Sequence, residues 1–462
     1  MKPIRLVTIG YIFAGFVFII VASYALLYAT GYKPDWDNLT FKKIGFILIE
    51  SYPKGAGIKL AGKELGRSTP ATLKRLLPDD YLVELTKDGY RPWQGNITVQ
   101  SGLVTEKRNV LLTLAELSPK ILIENSIDKI VGTPDNSKIA ILTQKEILLW
   151  DINNQSSSVL VNSGLIRQHI KATNTIDIAN GQLLPISFSP DSQLLLFRST
   201  GRYNQYFLVI NIRSGIIKLI ATGRQLTKWQ WLSNTELINW QVGKLNLIDI
   251  VANKIIVTVP DVIDMGVFDN NIYAAVTTSK ITALVKININ RGNNINETIA
   301  ILPDGVVYTF GKIESNWLIT VTNNQSTTLW LSEKANNEIT WSKLADKIAL
   351  PVLWDNTYLI YQQNKQIFVV EWKKMELPPK AILGNQPNTQ LVHFSYDTVL
   401  YLTGNKLISI DLTGMNKYEL IDLLLPSDLI LTDTQMSKLT YIDGKTHQLT
   451  EVNLREKSSY FF

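Results

Sequence analysis

Apolar positions along this chain fall into three regimes. From Leu6 to Thr30 they run on without one charged residue. From Gly45 to Leu114 they form short alternating runs broken by Gly and Pro. From Ser118 onward they form strand-length runs at a regular interval. The first regime predicts a helix: its 25 residues would span roughly 37 Å, enough to cross a hydrocarbon core of about 30 Å with some tilt. A helix buried in a soluble core would show a polar face, and this one has none. Lys2, Arg5 and the terminal amine precede it. The positive-inside rule therefore places the N-terminus in the cytoplasm and everything after Thr30 outside. A cleaved signal peptide is the alternative, but its apolar stretch is normally about 7–15 residues and ends in small side chains. Here bulky Tyr24, Leu26, Leu27 and Tyr28 crowd the end, so an uncleaved signal-anchor is expected.

The third regime carries a repeat. An apolar residue, a small polar or acidic one and usually another apolar one recur at Trp150-Asp151-Ile152, Ile210-Asn211-Ile212, Ile248-Asp249-Ile250, Ile287-Asn288-Ile289, Leu331-Ser332-Glu333, Val370-Glu371-Trp372, Ile410-Asp411-Leu412 and Val452-Asn453-Leu454. After the first interval the copies lie roughly 40 residues apart, the length of a four-stranded propeller blade. Each unit has a turn such as Thr133-Pro134-Asp135-Asn136-Ser137, an apolar strand such as Ile139–Leu142, the triplet strand and often a last strand. One such sheet cannot bury both faces, so neighbours must cover each other around a ring. The final unit shows three strands, Leu429–Leu431, Lys438–Ile442 and Gln448–Leu454, and Lys120–Ile123 is expected to supply its fourth. The first interval is longer, and the surplus Val161–Leu184, with Arg167 and His169, is either a partner-contacting element or a passive loop. The repeat-region tryptophans read as core between blades, with a sugar-stacking platform as the alternative.

Between anchor and repeats, residues 31–44 read as a polar spacer and 45–116 as short strands with frequent turns, the pattern of a small β-sandwich. Pro53-Lys54-Gly55-Ala56, Ile58-Lys59-Leu60, Gly62-Lys63, Gly66-Arg67-Ser68-Thr69-Pro70 and Asp88-Gly89-Tyr90 appear there in order. This set resembles the PEGA domain, with Lys54 where the family name has Glu and one extra residue between Gly66 and Pro70. The resemblance implies a non-catalytic surface module of bacterial envelope proteins, with its Gly and Pro residues shaping turns. Likewise Phe188-Ser189-Pro190-Asp191, the following apolar strand and Ile210-Asn211-Ile212 resemble the WD40-like and TolB-type propeller repeat.

Charge changes the picture little. Residues 1–120 hold 16 Lys and Arg against 10 Asp and Glu, and the remainder balances at 30 of each, so the net charge of +6 belongs to the N-terminal quarter. A pI of 9.0 on those terms is no sign of nucleic-acid binding. The chain has no Cys and three His, which excludes thiol chemistry and cysteine metal sites. No nucleophile elbow, P-loop, His-Glu-x-x-His or dinucleotide fingerprint is present.

The fold expected is all-β: a transmembrane helix (1–30 with its cytoplasmic tip), a linker (31–44), a PEGA-like sandwich (45–116), a β-propeller (117–457) and a tail (458–462). About eight blades are expected, with seven or six left open by the degenerate repeats. No catalytic, cofactor-binding or metal-binding residue is assigned, no cofactor is expected, and the binding residues are unknown. The function expected is that of a single-pass cell-membrane protein whose extracytoplasmic propeller binds a protein or envelope polysaccharide non-covalently. Lys54, Lys59, Lys63, Arg67, Lys74 and Arg75 are candidates for contact with anionic lipid or wall polymer. A polysaccharide hydrolase or lyase, with carboxylates clustered in the ring's channel, and a purely architectural spacer remain the alternatives.

Overall fold

The computed structural model describes residues 6–456, apart from residues 37, 171–174, 224–227, 242, 279–280, 289–295, 324–325, 336–337, 373–377, 385–388, 423–429 and 433–435. The expected cytoplasmic tip and C-terminal tail lie outside the described residues.

Leu6–Ala29 is one α-helix. Its Gly10–Ala29 stretch is long and apolar enough to cross a membrane, and none of it is buried against the protein. The helix ends where Gly31 takes φ +88, a conformation that favours glycine. The expected polar spacer is instead a hairpin, Tyr32–Asp35 paired with Thr40–Lys43. Composition hid it because its cohesion is polar: the Asp35 carboxylate accepts from Lys42 Nζ at 2.7 Å and from Asn38 Nδ2 at 2.9 Å.

The small domain packs two sheets. One orders Ala71–Leu76, Gly45–Tyr52 and Val104–Leu111, the last two parallel. The other orders Lys63–Ser68, Gly57–Leu60, Asp80–Thr86 and Trp93–Thr98. Strict alternation along Gly45–Tyr52 turns Ile47 and Ile49 into a core with Ile58, Val83, Leu85 and Val110. The Pro53–Ala56 turn is held by backbone bonds from Gly55 to Thr69 and from Thr69 to Ala56, and by Ser51 Oγ against Thr69 Oγ1 at 2.6 Å. Gly66–Ser68, expected as a break, belongs to an edge strand, and Ala71–Leu76 is a strand that the pattern did not announce. Both lie at sheet edges, where little alternation is imposed.

Eight further four-stranded sheets form the propeller. Blades one to seven span residues 127–161, 182–223, 228–260, 262–301, 307–345, 348–383 and 389–422. Blade eight joins Ile430–Thr432, Lys438–Ile442 and Leu449–Asn453 to Lys120–Ile123, with Lys120 opposite Glu451 and Ile121 opposite Thr450. The strand before blade one therefore closes the ring, as its sequence suggested. First strands of neighbouring blades contact one another, so they line the centre. The core lies between blades: Leu195, Phe197 and Leu208 of blade two pack with Ala140, Ile147 and Leu149 of blade one.

At Asp151, Asn211 and Asp249 the repeated acid or amide caps the turn that follows. Asp151 Oδ1 accepts the backbone N–H groups of Asn153 and Asn154 at 3.0 and 2.9 Å. Asn211 Oδ1 accepts those of Arg213 and Ser214, both at 2.9 Å. These bonds explain short polar residues at the end of an apolar strand. The long first interval folds into two short helices, Ser163–His169 and Thr175–Ala179. They bury Ile166 and Ile178 against blades one and two.

Candidate functional site

A cavity of about 620 Å³ sits at the ring's centre. Its walls come from the first strands of blades one to six, with Arg198 and Phe207 added from blade two. Phe207, Trp229, Phe268, Tyr308, Phe310 and Trp354 supply aromatic surface, and Lys129, Arg198 and Lys228 supply positive charge. Glycines make the room: a Cβ on Gly266 would come within 2.7 Å of the Phe268 ring, and one on Gly311 within 2.7 Å of Trp354. Phe207 and Trp229 pack with ring centroids 4.7 Å apart.

Among the described residues, Asp264 is the one carboxylate lining this cavity. It is buried and sits 3.3 Å from Lys228 Nζ, which also lies 4.6 Å from the Trp240 ring centroid. Burial pushes the Asp264 carboxyl up, and Lys228 opposes that. Arg198 donates to Gln205 Oε1 at 3.5 Å, and its buried Nε has no partner among the described residues. Acid–base cleavage of a glycosidic bond ordinarily needs two carboxyl groups flanking it. What this cavity presents instead is aromatic faces and cations, the chemistry for holding a ligand with anionic groups and flat apolar faces.

A second constellation joins the small domain to the propeller. Trp93 Nε1–H donates to Asp411 Oδ2 at 3.1 Å. Asn416 accepts the Gln94 N–H at 2.9 Å and donates to the Gln94 carbonyl at 2.7 Å. Lys107 Nζ lies 2.8 Å from Asp397 Oδ2. Tyr418 O–H donates to the Pro92 carbonyl, and Arg91 donates to the Glu419 carbonyl at 3.1 Å. Leu111, Tyr52 and Leu117 pack with Leu400, Leu402 and Leu439 beneath them. Asp411 is the seventh copy of the repeated triplet, so here a turn cap also receives the neighbouring domain. Burial pulls Lys107 down, but Asp397 and Asp411 outweigh it and the amine ends above its usual value. Asp397 is pushed up by burial, against the pull of Lys107.

The family model of the PEGA domain matches residues 44–115. Those residues are the PEGA domain of this chain. No curated protein matches the chain significantly. Among solved structures it is similar to the propeller of Dos1, with 12% identity over 74% of this chain and 96% of that one and a TM-score of 0.44. It is similar to a eukaryotic initiation factor, with 12% identity over 71% and 85% and a TM-score of 0.47. It is also similar to the propeller domain of the Trilobed protease from Pyrococcus furiosus, with 12% identity over 64% and 95% and a TM-score of 0.40.

The PEGA domain docks on one end of the ring. Asp397 lies between the first and second strands of blade seven, and Asp411 and Asn416 flank the turn between its third and fourth. Antiparallel succession puts those two turns on the same face. The helical insert links the fourth strand of blade one to the first of blade two, so it lies on the opposite face, away from the PEGA domain. Its anchor is Asp177, which accepts from Arg202 N–H at 2.8 Å and Tyr206 O–H at 2.7 Å. Arg167 donates to Asn180 Oδ1 at 2.8 Å, and His169 Nδ1 pairs with the Leu165 carbonyl at 3.0 Å, so both act within the insert.

Four of the six basic candidates have a definite setting. Lys59 pairs with Glu64 at 3.4 Å, and Lys63 and Arg67 stand on the neighbouring edge strand. Arg75 instead lies 3.6 Å over the ring of Tyr28, at the end of the apolar helix. Five tryptophans are interblade core: Trp150, Trp231, Trp240, Trp317 and Trp372. Trp229 and Trp354 line the cavity, and no local pattern separates them from the rest. Among the described residues no cluster of His, Asp or Glu could hold a metal ion. A PEGA domain with a β-propeller supports a binding or scaffold role in general terms.

Proposed function

We propose that Gly10–Ala29 anchors the chain in the cell membrane, that the PEGA domain and propeller stand outside it, and that the propeller binds an anionic cell-envelope polymer non-covalently in its central cavity. The observation that carries this reading is the cavity lining. Three cations and six aromatic rings surround a single carboxylate that is already paired with Lys228. Acidic sugars fit that lining on both counts, since rings stack on sugar faces and cations take carboxylates. The dock supports the scaffold half of the reading. It ties the ring to the PEGA domain by charged and hydrogen-bonded contacts as well as by apolar packing.

The test uses full-length protein in lipid nanodiscs and calorimetry with polygalacturonate, poly-glutamate and neutral dextran. Polygalacturonate should bind, more weakly as salt rises. Trp354→Ala should weaken binding about tenfold, a change of about 1.4 kcal/mol, with the melting temperature unchanged. Preference for poly-glutamate would replace the polymer by an acidic protein. Equal binding of dextran, or binding indifferent to Trp354→Ala, would reject the cavity as the site. Release of reducing ends from the polysaccharide would reject the non-catalytic reading. Intact mass of membrane-extracted protein should include residues 6–30, and a shorter mass would reject the anchor.

A further inference from the structure

The hairpin between helix and PEGA domain ends in apolar side chains that no described residue covers. Trp36 is 78% exposed, Leu39 84% and Phe41 50%. Beside its base, Leu103 and Val104 are each 54% exposed. Trp36, Leu39 and Phe41 stand on a two-stranded ribbon that buries little itself, and such ribbons are at best marginal in water. The hairpin is nevertheless held in place. Ile44 N–H donates to the Gly31 carbonyl at 2.8 Å, which ties its base to the end of the helix. Gly102 N–H donates to the Ile44 carbonyl at 3.1 Å, and Ser101 Oγ donates to the Lys43 carbonyl at 3.4 Å. Those bonds bring the Leu103–Val104 turn against the same base.

Position supplies the occupant. Strands of four residues reach at most about 13 Å, so a hairpin inclined along the bilayer surface from the helix end keeps its tip in the surface layer. A bilayer's polar interface extends roughly 5–8 Å beyond its hydrocarbon core. Tryptophan and other aromatic side chains concentrate in that layer, because their rings are apolar and their edges polar. Lys33 and Lys43 are exposed on the two strands of the hairpin, the charge that anionic lipid attracts.

We propose that Trp36, Leu39 and Phe41, with Leu103 and Val104 beside them, form a foot that inserts into the interface of the same membrane leaflet from which the helix emerges. This rests on the helix being a membrane anchor, as proposed above. With Arg75 set over Tyr28, it gives the PEGA domain a second hold on the bilayer and limits its swivel about the helix.

The chain has no Cys, so single cysteines can carry an environment-sensitive fluorophore in full-length protein in nanodiscs. Three sites are compared: Ile20→Cys in the helix, Leu39→Cys in the foot and Asn153→Cys on the propeller. Nitroxide lipids labelled shallow or deep in the bilayer act as quenchers. The expected result is deep quenching at Ile20→Cys, shallow quenching at Leu39→Cys and none at Asn153→Cys. Adding Trp36→Ser and Phe41→Ser should cut the shallow quenching several-fold. Quenching at Ile20→Cys with Leu39→Cys as silent as Asn153→Cys would overturn the foot while sparing the anchor. No quenching at Ile20→Cys would overturn the anchor and the foot with it.

Discussion

Replacing Lys107 by Met should loosen the PEGA domain from blade seven without unfolding either part. Lys107 Nζ is 2.8 Å from Asp397 Oδ2, and the two side chains retain 24% and 10% of their exposure. Deleting one partner of a buried pair typically costs about 3–5 kcal/mol, because a charge is left in low dielectric. Two features of this pair reduce the figure. Lys107 is partly solvated, and the Asp397 carboxyl is already pushed up by burial against the pull of Lys107, so protonation offers it an escape. We expect a loss of about 2–3 kcal/mol in docking, which is roughly a 30- to 150-fold rise in the open population. Hydrogen exchange reads this directly. The Gln94 amide is bonded to Asn416 Oδ1 and the Leu114 amide to the Leu454 carbonyl, both across the dock. Both should exchange faster by that factor, while the Leu247 amide in blade three should not change. Adding Asp397→Leu should restore most of the protection, because the stranded charge is gone. Exchange at Gln94 and Leu114 within threefold of the native chain, or an equal rise at Leu247, would refute the reasoning. The pH dependence has a definite sign. Burial pulls Lys107 down, but Asp397 and Asp411 outweigh it and hold it above its usual 10.5. Its contribution is therefore complete below pH 10.5 and is lost as pH rises through the higher folded value.

Deleting residues 118–124 should lower the propeller's stability by several kcal/mol and with it the urea midpoint, because blade eight loses its fourth strand and an edge opens; an unchanged midpoint would show that closure does not hold the ring. Ile178→Ala removes a fully buried side chain and should cost about 2–4 kcal/mol, felt first in the insert; limited proteolysis should then cut between residues 163 and 180, and undiminished resistance would contradict its anchoring. Asp35 is held at about 2 by the bond from Lys42 and then Asn38, below its usual 3.8. The hairpin's support from this group is thus complete above about pH 4 and is lost as pH falls through about 2. A label at Leu39→Cys should gain mobility over that window, and Asp35→Asn should show the gain already at neutral pH; a flat response in the native chain would exclude the role.

The readable parts of the fold were those with a period. Strict alternation in Gly45–Tyr52 and the recurring triplets set strand faces and blade spacing, because burial of one face in two tolerates few polar residues. The hairpin at residues 32–43 and the strand Lys63–Ser68 were not readable, since polar bonds such as Asp35 with Lys42 leave no periodic mark. The insert was located but not interpreted: Ile166, Ile170 and Ile178 are too widely spaced to announce two packed helices, and Asp177 gains meaning only from Arg202 and Tyr206.

The sequence by itself determined the helix, the PEGA turns, the blade repeat and the strand that closes the ring, because each depends on neighbours in the chain or on a repeated burial pattern. The dock and the cavity were decided only by the tertiary structure. Trp93 and Asp411 are 318 residues apart, and the cavity draws its residues from strands of six different blades. Nothing local distinguishes Trp229 and Trp354, which line that cavity, from the buried Trp231 and Trp317. Nor does anything local single out Asp411, among the turn-capping acids, as the one that receives a second domain. Only closure of the ring sets those side chains inward and brings the PEGA domain to one face.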